Sequence, residues 1–466
     1  MACLCLVLVA AICLRFVGGE RAPRGFHFDE AIIAGEAISL AETGKSSLGT
    51  SGLFIPAGGG GYASATHVYP KAVWIRLAGY SVAAMRAYAA LEATLLIAGL
   101  WLLGSRLYGS AGGAYTALAG ALSPWIFQFS RLANDDPMMC LCGIVWGSYF
   151  VARRGTLRSA AAAALCFSIA AYAYSSARVV LPLIAPAMML MHWRGLRRPW
   201  ANIAVFTLTG LLLCSPLLAG TLSGRLLTRY DVVGIFTESF RAKIGASSNW
   251  QVLPVFVRNY MEHLSLRFLF LSGDPNLRHS TQSFGQLSWL DQFALLGGLT
   301  AICWRAIRRK GLSLDSSLVF SFLGFLVGFI PAAITWEGLP HSIRGCVAWP
   351  FAALVTGGIL AKLKAHTWWI RVAVTLLGSV YLACFAGVFF TSYPTKAAPH
   401  FDVWQIEAAE HGRASGDWNR LEEATKVYPP IVARYYLVAY GGLTFAETAD
   451  VPGTFARLRE RNNFGK

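Results

Sequence analysis

The chain has 466 residues, of which 55% are apolar and only 14% charged, with a mean hydropathy of +0.50. That balance excludes disorder, collagen and coiled coil, and it indicates a protein that lives in a membrane. The formal charge of +16 would suggest nucleic acid in a soluble protein, but here the excess sits in short turns between apolar runs, so no nucleic-acid partner is expected. The ten cysteines lie in or beside apolar stretches without a C-x-x-C pair, so neither a disulfide framework nor a zinc knuckle is indicated.

Runs long enough to cross about 30 Å of hydrocarbon are predicted at 3–17, 81–103, 111–129, 138–152, 157–173, 178–192, 200–220, 289–304, 317–336, 345–361 and 368–390. The expected fold is therefore an α-helical polytopic bundle of about eleven spans. The first run lacks a basic lead and an A-x-A site, and it reads as a membrane helix rather than a cleaved signal peptide. Thirteen basic residues gather in alternate connections: Arg106, Arg153, Arg154, Arg158, Arg194, Arg197, Arg198, Arg305, Arg308, Arg309, Lys310, Lys362 and Lys364. The opposite loops hold Asp29, Glu30, Asp135, Asp136 and Glu337. The positive-inside rule then predicts a multi-pass protein of the cytoplasmic membrane, with its N-terminus inside and its C-terminus outside.

Three outer segments exceed simple turns: 18–80, 221–288 and 391–466. Long loops in compact proteins commonly carry function. The first contains an amphipathic run from Glu30 to Ala41 and the flexible stretch Gly58 to Gly61. The second contains Val255 to Leu271, apolar but broken by Arg258, Glu262, His263 and Arg267, which predicts a helix lying along the membrane surface. The expected division is a transmembrane catalytic domain over 1–390, including the loops 18–80 and 221–288, and a small outer region of α/β character over 391–466.

Gly44-Lys45-Ser46 mimics the end of a phosphate-binding loop, but Ser39 stands where the first glycine is required. A stronger signal is Phe28-Asp29-Glu30, an acidic pair soon after the first span, at a depth where ionised carboxylates are expensive unless used or paired. On its own it reads equally as a helix start. Further outer turns supply charged clusters: Phe129 to Pro137 carries Arg131, Asp135 and Asp136, Tyr172 to Arg178 ends on a cation, and Glu337 to Arg344 contains His341. A shared polar site accounts for four such clusters on one face more simply than chance.

The order of these clusters resembles the GT-C superfamily of integral-membrane glycosyltransferases, in particular bacterial relatives of the dolichyl-phosphate-mannose protein mannosyltransferases and of the aminoarabinose transferase of lipid A. Phe28-Asp29-Glu30 is similar to that family's acidic pair, and Thr66-His67-Val68-Tyr69-Pro70-Lys71 is similar to its H-P-P-L segment, with Val68-Tyr69 interrupting the His-Pro pairing. Leu103 to Gly109, Leu122 to Arg131, Gly273 to His279, His341 to Arg344 and Phe390 to Pro394 extend the likeness over about residues 20–395.

The resemblance implies a sugar donor carried on a polyprenyl phosphate and an inverting single displacement onto a protein, lipid or polysaccharide acceptor. Such chemistry needs cations near the lipid phosphate and a carboxylate to take the acceptor's proton. Asp29 is the expected general base; Glu30, Asp135 and Asp136 would tune the site or bind acceptor. Lys71, Arg131, Arg178 and Arg344 are the cation candidates for the donor phosphate, although each also suits an interfacial anchor that snorkels its charge. His67, Tyr69 and His341 complete the candidates, and a divalent cation held by such groups is conceivable. A lipid-sugar flippase would call for mid-membrane ionisable residues or internal repeats, and neither is visible. An envelope oligosaccharide ligase or polymerase is disfavoured by the early acidic pair.

Overall fold

The computed structural model describes residues 2–56, 62–134, 136–153, 155–192, 198–224, 226–307, 315–363 and 368–464. Of the sequence-based candidates, Asp135 and the stretch Gly58 to Gly61 lie outside these residues, and only the backbone of Asp136 is described. The chain divides into two compact units, one of residues 1–14, 92–129 and 137–387, the other of residues 15–91, 130–136 and 388–466.

The first unit is a helical membrane bundle. Val82–Leu122, Ser175–His192, Pro199–Leu222, Ser316–Ala333 and Trp368–Thr391 are long and apolar enough to cross a membrane, and Cys3–Cys13, Pro137–Ala152, Leu157–Ala173 and Ala348–Lys362 are shorter apolar helices. Every predicted span falls on a helix, but 81–103 and 111–129 share Val82–Leu122, which is broken at Gly109, where φ is 80°. Close packing uses small residues, as expected where lipid removes the hydrophobic drive between helices. A Cβ at Gly143 would lie 2.5 Å from the Cys166 carbonyl, and one at Gly147 would lie 2.5 Å from the Phe167 ring.

Polar bonds mark one end of this bundle. Tyr108 Oη donates to the Ser317 carbonyl at 2.9 Å, and Lys362 pairs with Asp315 at 3.4 Å. Arg344 lies beyond the opposite end of the Ala348–Lys362 helix, where its carbonyl accepts from Ser176 Oγ at 3.0 Å. The basic turns at 106 and 362 are thus separated from the Arg344 cluster by the length of the bundle. In the 221–288 loop, the helix Leu253–His263 exposes Leu253, Val257 and Met261 while burying Asn259 and His263. That is the one-sided pattern of an interfacial helix.

The second unit overturns the division at residue 390. The helices Phe28–Thr43 and Ala65–Ala78 of the 18–80 segment share one apolar core with Val403–Ser415, Pro430–Gly441 and Val451–Phe464. Ile32, Ile38, Val68 and Ile75 pack there with Tyr435, Tyr436, Leu437 and Phe455. Among the described residues the region after 391 is helical, not α/β; the antiparallel pair belongs to the first loop, Phe54–Pro56 against Tyr62–Ser64, with Ile55 opposite Ala63. Glu30 to Ala41 is also not amphipathic in place, because every residue of it is buried. The C-terminal helices cover the face that the sequence pattern had assigned to water.

Candidate functional site

The Phe28–Thr43 helix begins with a capping box that uses an imidazole: His27 Nδ1 accepts from the Asp29 N–H at 3.2 Å, and Glu30 Oε2 accepts from the His27 N–H at 3.0 Å. Two acids in the first turn suit the positive end of the helix. Their fates differ. Glu30 is 2% exposed and ion-paired with Arg86, whose Nε and Nη2 donate at 3.1 and 2.9 Å, while the Ala133 N–H donates at 2.7 Å. Arg86 also donates to the carbonyls of Gly19, Pro23 and Gly25. Asp29 keeps a carboxylate that is 41% exposed, with Oδ2 3.4 Å from His27 Nδ1. Of the pair, Glu30 is the buried, ion-paired member and Asp29 the more exposed one.

Lys71 and Arg131 hold the same loop rather than presenting charge. Lys71 is fully buried, donates to the Ala133 carbonyl and sits 5.6 Å from the Tyr88 ring centroid. Ala133 therefore joins Glu30 through its N–H and Lys71 through its carbonyl. The five N–H donors of Arg131 go to the carbonyls of Arg15, Val17, Gly18 and Ala22. Burial, then the neighbouring Arg86 and Arg15 charges, push its pKa down to about 9. A guanidinium with every donor spent on backbone has none to offer a phosphate, which corrects the donor-binding expectation for Arg131. Burial and then Lys71 hold His67 well below the usual imidazole range, so it is neutral. Tyr69 is part-exposed, and its Oη accepts from the Gly52 N–H at 3.1 Å.

The membrane unit holds the other candidates. Arg178 Nε donates to the Ala171 carbonyl at 3.0 Å. Arg344 Nη1 donates to Thr335 Oγ1 at 3.0 Å and to the Glu337 carbonyl at 2.8 Å, and Nη2 lies 3.4 Å from Glu337 Oε2. Burial lowers the Arg344 pKa. Arg229 reaches the same Glu337 carboxylate at 3.2 Å.

His341 belongs to a buried polar group that spacing alone did not assemble. Its N–H donates to His263 Nε2 at 2.9 Å, while His263 Nδ1 bonds the Asn259 carbonyl at 2.7 Å, which sets the His263 tautomer. Asp274 Oδ2 accepts from the Ser342 N–H at 2.7 Å and lies 3.0 Å from His279 Nδ1. Desolvation brings His263 to about 4 and His341 to about 2, and the bonds to Asn259 and to the His341 N–H occupy both ring nitrogens of His263. Ligand atoms of Asp274, His279 and His341 lie within 4.8 Å of one another. Two imidazoles and a carboxylate so placed suit a divalent cation such as zinc.

Sequence reasoning left Arg86, His263 and Asp274 off its candidate set. Arg86 lies inside a predicted span, and the bonds that tie His263 and Asp274 to residues 341 and 342 cross 78 and 68 residues.

The family of dolichyl-phosphate-mannose-protein mannosyltransferases matches over residues 67–219, about a third of the chain. No curated protein matches it in sequence. Among solved structures, the archaeal oligosaccharyltransferase AglB from Archaeoglobus fulgidus, in complex with an inhibitory peptide and a dolichol-phosphate, is 12% identical; the likeness covers 90% of this chain and 59% of AglB, with a TM-score of 0.51. ArnT from Cupriavidus metallidurans bound to undecaprenyl phosphate is 15% identical over 95% of this chain and 76% of ArnT, with a TM-score of 0.46. The fold is a GT-C fold. The likeness in sequence to the mannosyltransferase family is confined to residues 67–219, and the likeness to AglB is one of fold.

Proposed function

We propose that the chain moves a sugar from a polyprenyl-phosphate-linked donor to an acceptor hydroxyl at the outer face of the cytoplasmic membrane, with inversion at the anomeric carbon. Asp29 takes the hydroxyl proton as the acceptor oxygen bonds to that carbon. The bond from carbon to phosphate oxygen breaks, and the polyprenyl phosphate leaves as an anion that needs no acid. Arg178 and Arg344 are the cations proposed for the donor phosphate; Lys71 and Arg131 shape the loop that leads to Asp136.

The observation that carries this reading is the contrast within the acidic pair: Glu30 is locked into a buried ion pair while its neighbour's carboxylate stays accessible at the head of a braced helix. A base held by such a scaffold is in the state that proton transfer requires. The mannosyltransferase match over residues 67–219 supports the same class of donor.

The test is single-turnover sugar release by the purified protein with a panel of polyprenyl-phosphate sugars. Turnover of one donor is expected, and Asp29→Asn should lower it by about 10²–10⁴. Full activity in Asp29→Asn would remove the base. Tight donor binding without turnover across the panel would favour a lipid-sugar transporter.

A further inference from the structure

The C-terminal region reaches the segment that carries Asp29 at four successive points. Arg24 pairs with Glu407 at 2.7 Å. Gly25 passes so near Phe401 that a Cβ there would lie 2.4 Å from the Phe401 carbonyl oxygen. The Phe26 carbonyl accepts from Tyr436 Oη at 3.2 Å, and the Phe28 N–H donates to Asp402 Oδ2 at 2.9 Å.

Asp402 is the unusual member of this series. It is 6% exposed and holds φ 48° and ψ 42°, a left-handed conformation that few residues other than glycine adopt. It stands at the N-cap of Val403–Ser415, yet its side chain makes no capping bond to that helix. Instead one oxygen takes the first N–H of the Phe28–Thr43 helix, and the other accepts from Tyr428 Oη at 3.3 Å. The Tyr428 ring packs on Phe28 with centroids 5.2 Å apart. An N-terminal N–H of a helix normally finds its acceptor nearby in sequence or in water; here it is supplied from 374 residues away.

We propose that Asp402 is a positioning residue for Asp29. By capping the preceding N–H, and by fixing Phe28 through Tyr428, it sets the direction in which the Asp29 carboxylate leaves the helix. The catalytic part of this inference rests on the reading of Asp29 as the base. The C-terminal region is then a working part of the transferase and not an appendage.

Two substitutions separate the carboxylate from the backbone strain. Asp402→Asn keeps an acceptor oxygen and tolerates the left-handed region, whereas Asp402→Gly relaxes the backbone and removes the acceptor. The full-length protein is assayed for kcat, for donor affinity, and for deuterium exchange in the peptide around residues 24–31. Asp402→Asn should stay close to wild type on all three. Asp402→Gly should lower kcat by about tenfold to a hundredfold at unchanged donor affinity, with faster exchange in that peptide.

Wild-type kcat in Asp402→Gly, equal loss in both variants, or donor affinity falling along with kcat would overturn the assignment. If the wild-type protein turned over no polyprenyl donor, the proposed function would fail, and the exchange arm would still decide the clamp. Faster exchange in Asp402→Gly alone would uphold it, and unchanged exchange would discard it.

Discussion

Asp29 and Glu30 are adjacent in sequence and opposite in duty. Breaking a buried ion pair by removing one charge costs about 3–5 kcal/mol, because the survivor is left uncompensated. Glu30→Gln should therefore lower the thermal stability of the second unit strongly, while Asp29→Asn leaves the melting temperature near wild type and removes turnover. Circular-dichroism melting of the two purified variants checks this, and equal melting temperatures would deny Glu30 its bracing role. The arginines separate in the same way. Arg131→Ala should unfold the 15–25 segment, which loses five donors to its carbonyls. Arg344→Ala should keep the fold and weaken donor binding by about 1.5–3 kcal/mol, roughly tenfold to a hundredfold. Donor titration of both variants, with melting curves alongside, tests the pair; unchanged affinity in Arg344→Ala would return that residue to the role of anchor.

Among the connecting elements, the 221–288 loop and the turn before Ala348–Lys362 meet through Asp274, His279 and His341. Zinc binding there would stabilise the folded protein by mass action, by about 2.7 kcal/mol at a hundredfold excess over the dissociation constant. We expect added zinc to raise the melting temperature of metal-free protein and to do so no longer in Asp274→Asn. A shift of equal size in that variant would place the ion elsewhere. The Leu253–His263 helix shows how an element's sequence pattern survives into the fold. Its apolar positions at 253, 257 and 261 stay exposed, as a membrane-surface helix requires, while the inward His263 is recruited to bond the His341 N–H.

Over the whole molecule, the second unit is built from the first loop and the C-terminal helices together. Removing residues 403–466 should therefore expose the Phe28–Thr43 helix to protease and abolish turnover, although every predicted span would remain. Limited proteolysis of the truncated protein measures this, and a protected first loop would show that the shared core is dispensable. The proposed orientation rests on the basic turns. In a background lacking the exposed native cysteines, Arg420→Cys should react with an impermeant thiol reagent on intact cells and Arg158→Cys should not. The reverse labelling would invert the proposed topology and move the site to the cytoplasmic side.

Composition and apolar run length were enough to establish a helical membrane protein, because a chain in lipid must satisfy its backbone within helices and long apolar runs admit little else. The acidic pair was visible too, since charge next to apolar runs stands out against its background. Which carboxylate is buried was not legible: Glu30 is paired by Arg86, 56 residues on, and by Ala133, 103 residues on. Arg131 and Arg344 look alike in sequence, and only packing gives one five bonds to four backbone carbonyls and the other the part-exposed Glu337. The C-terminal region hid its role for the same reason. Its contacts with residues 24–28 cross almost the full length of the chain, and local pattern carries no information about contacts at that separation. Tertiary structure alone decided that Asp402 caps the helix of Asp29.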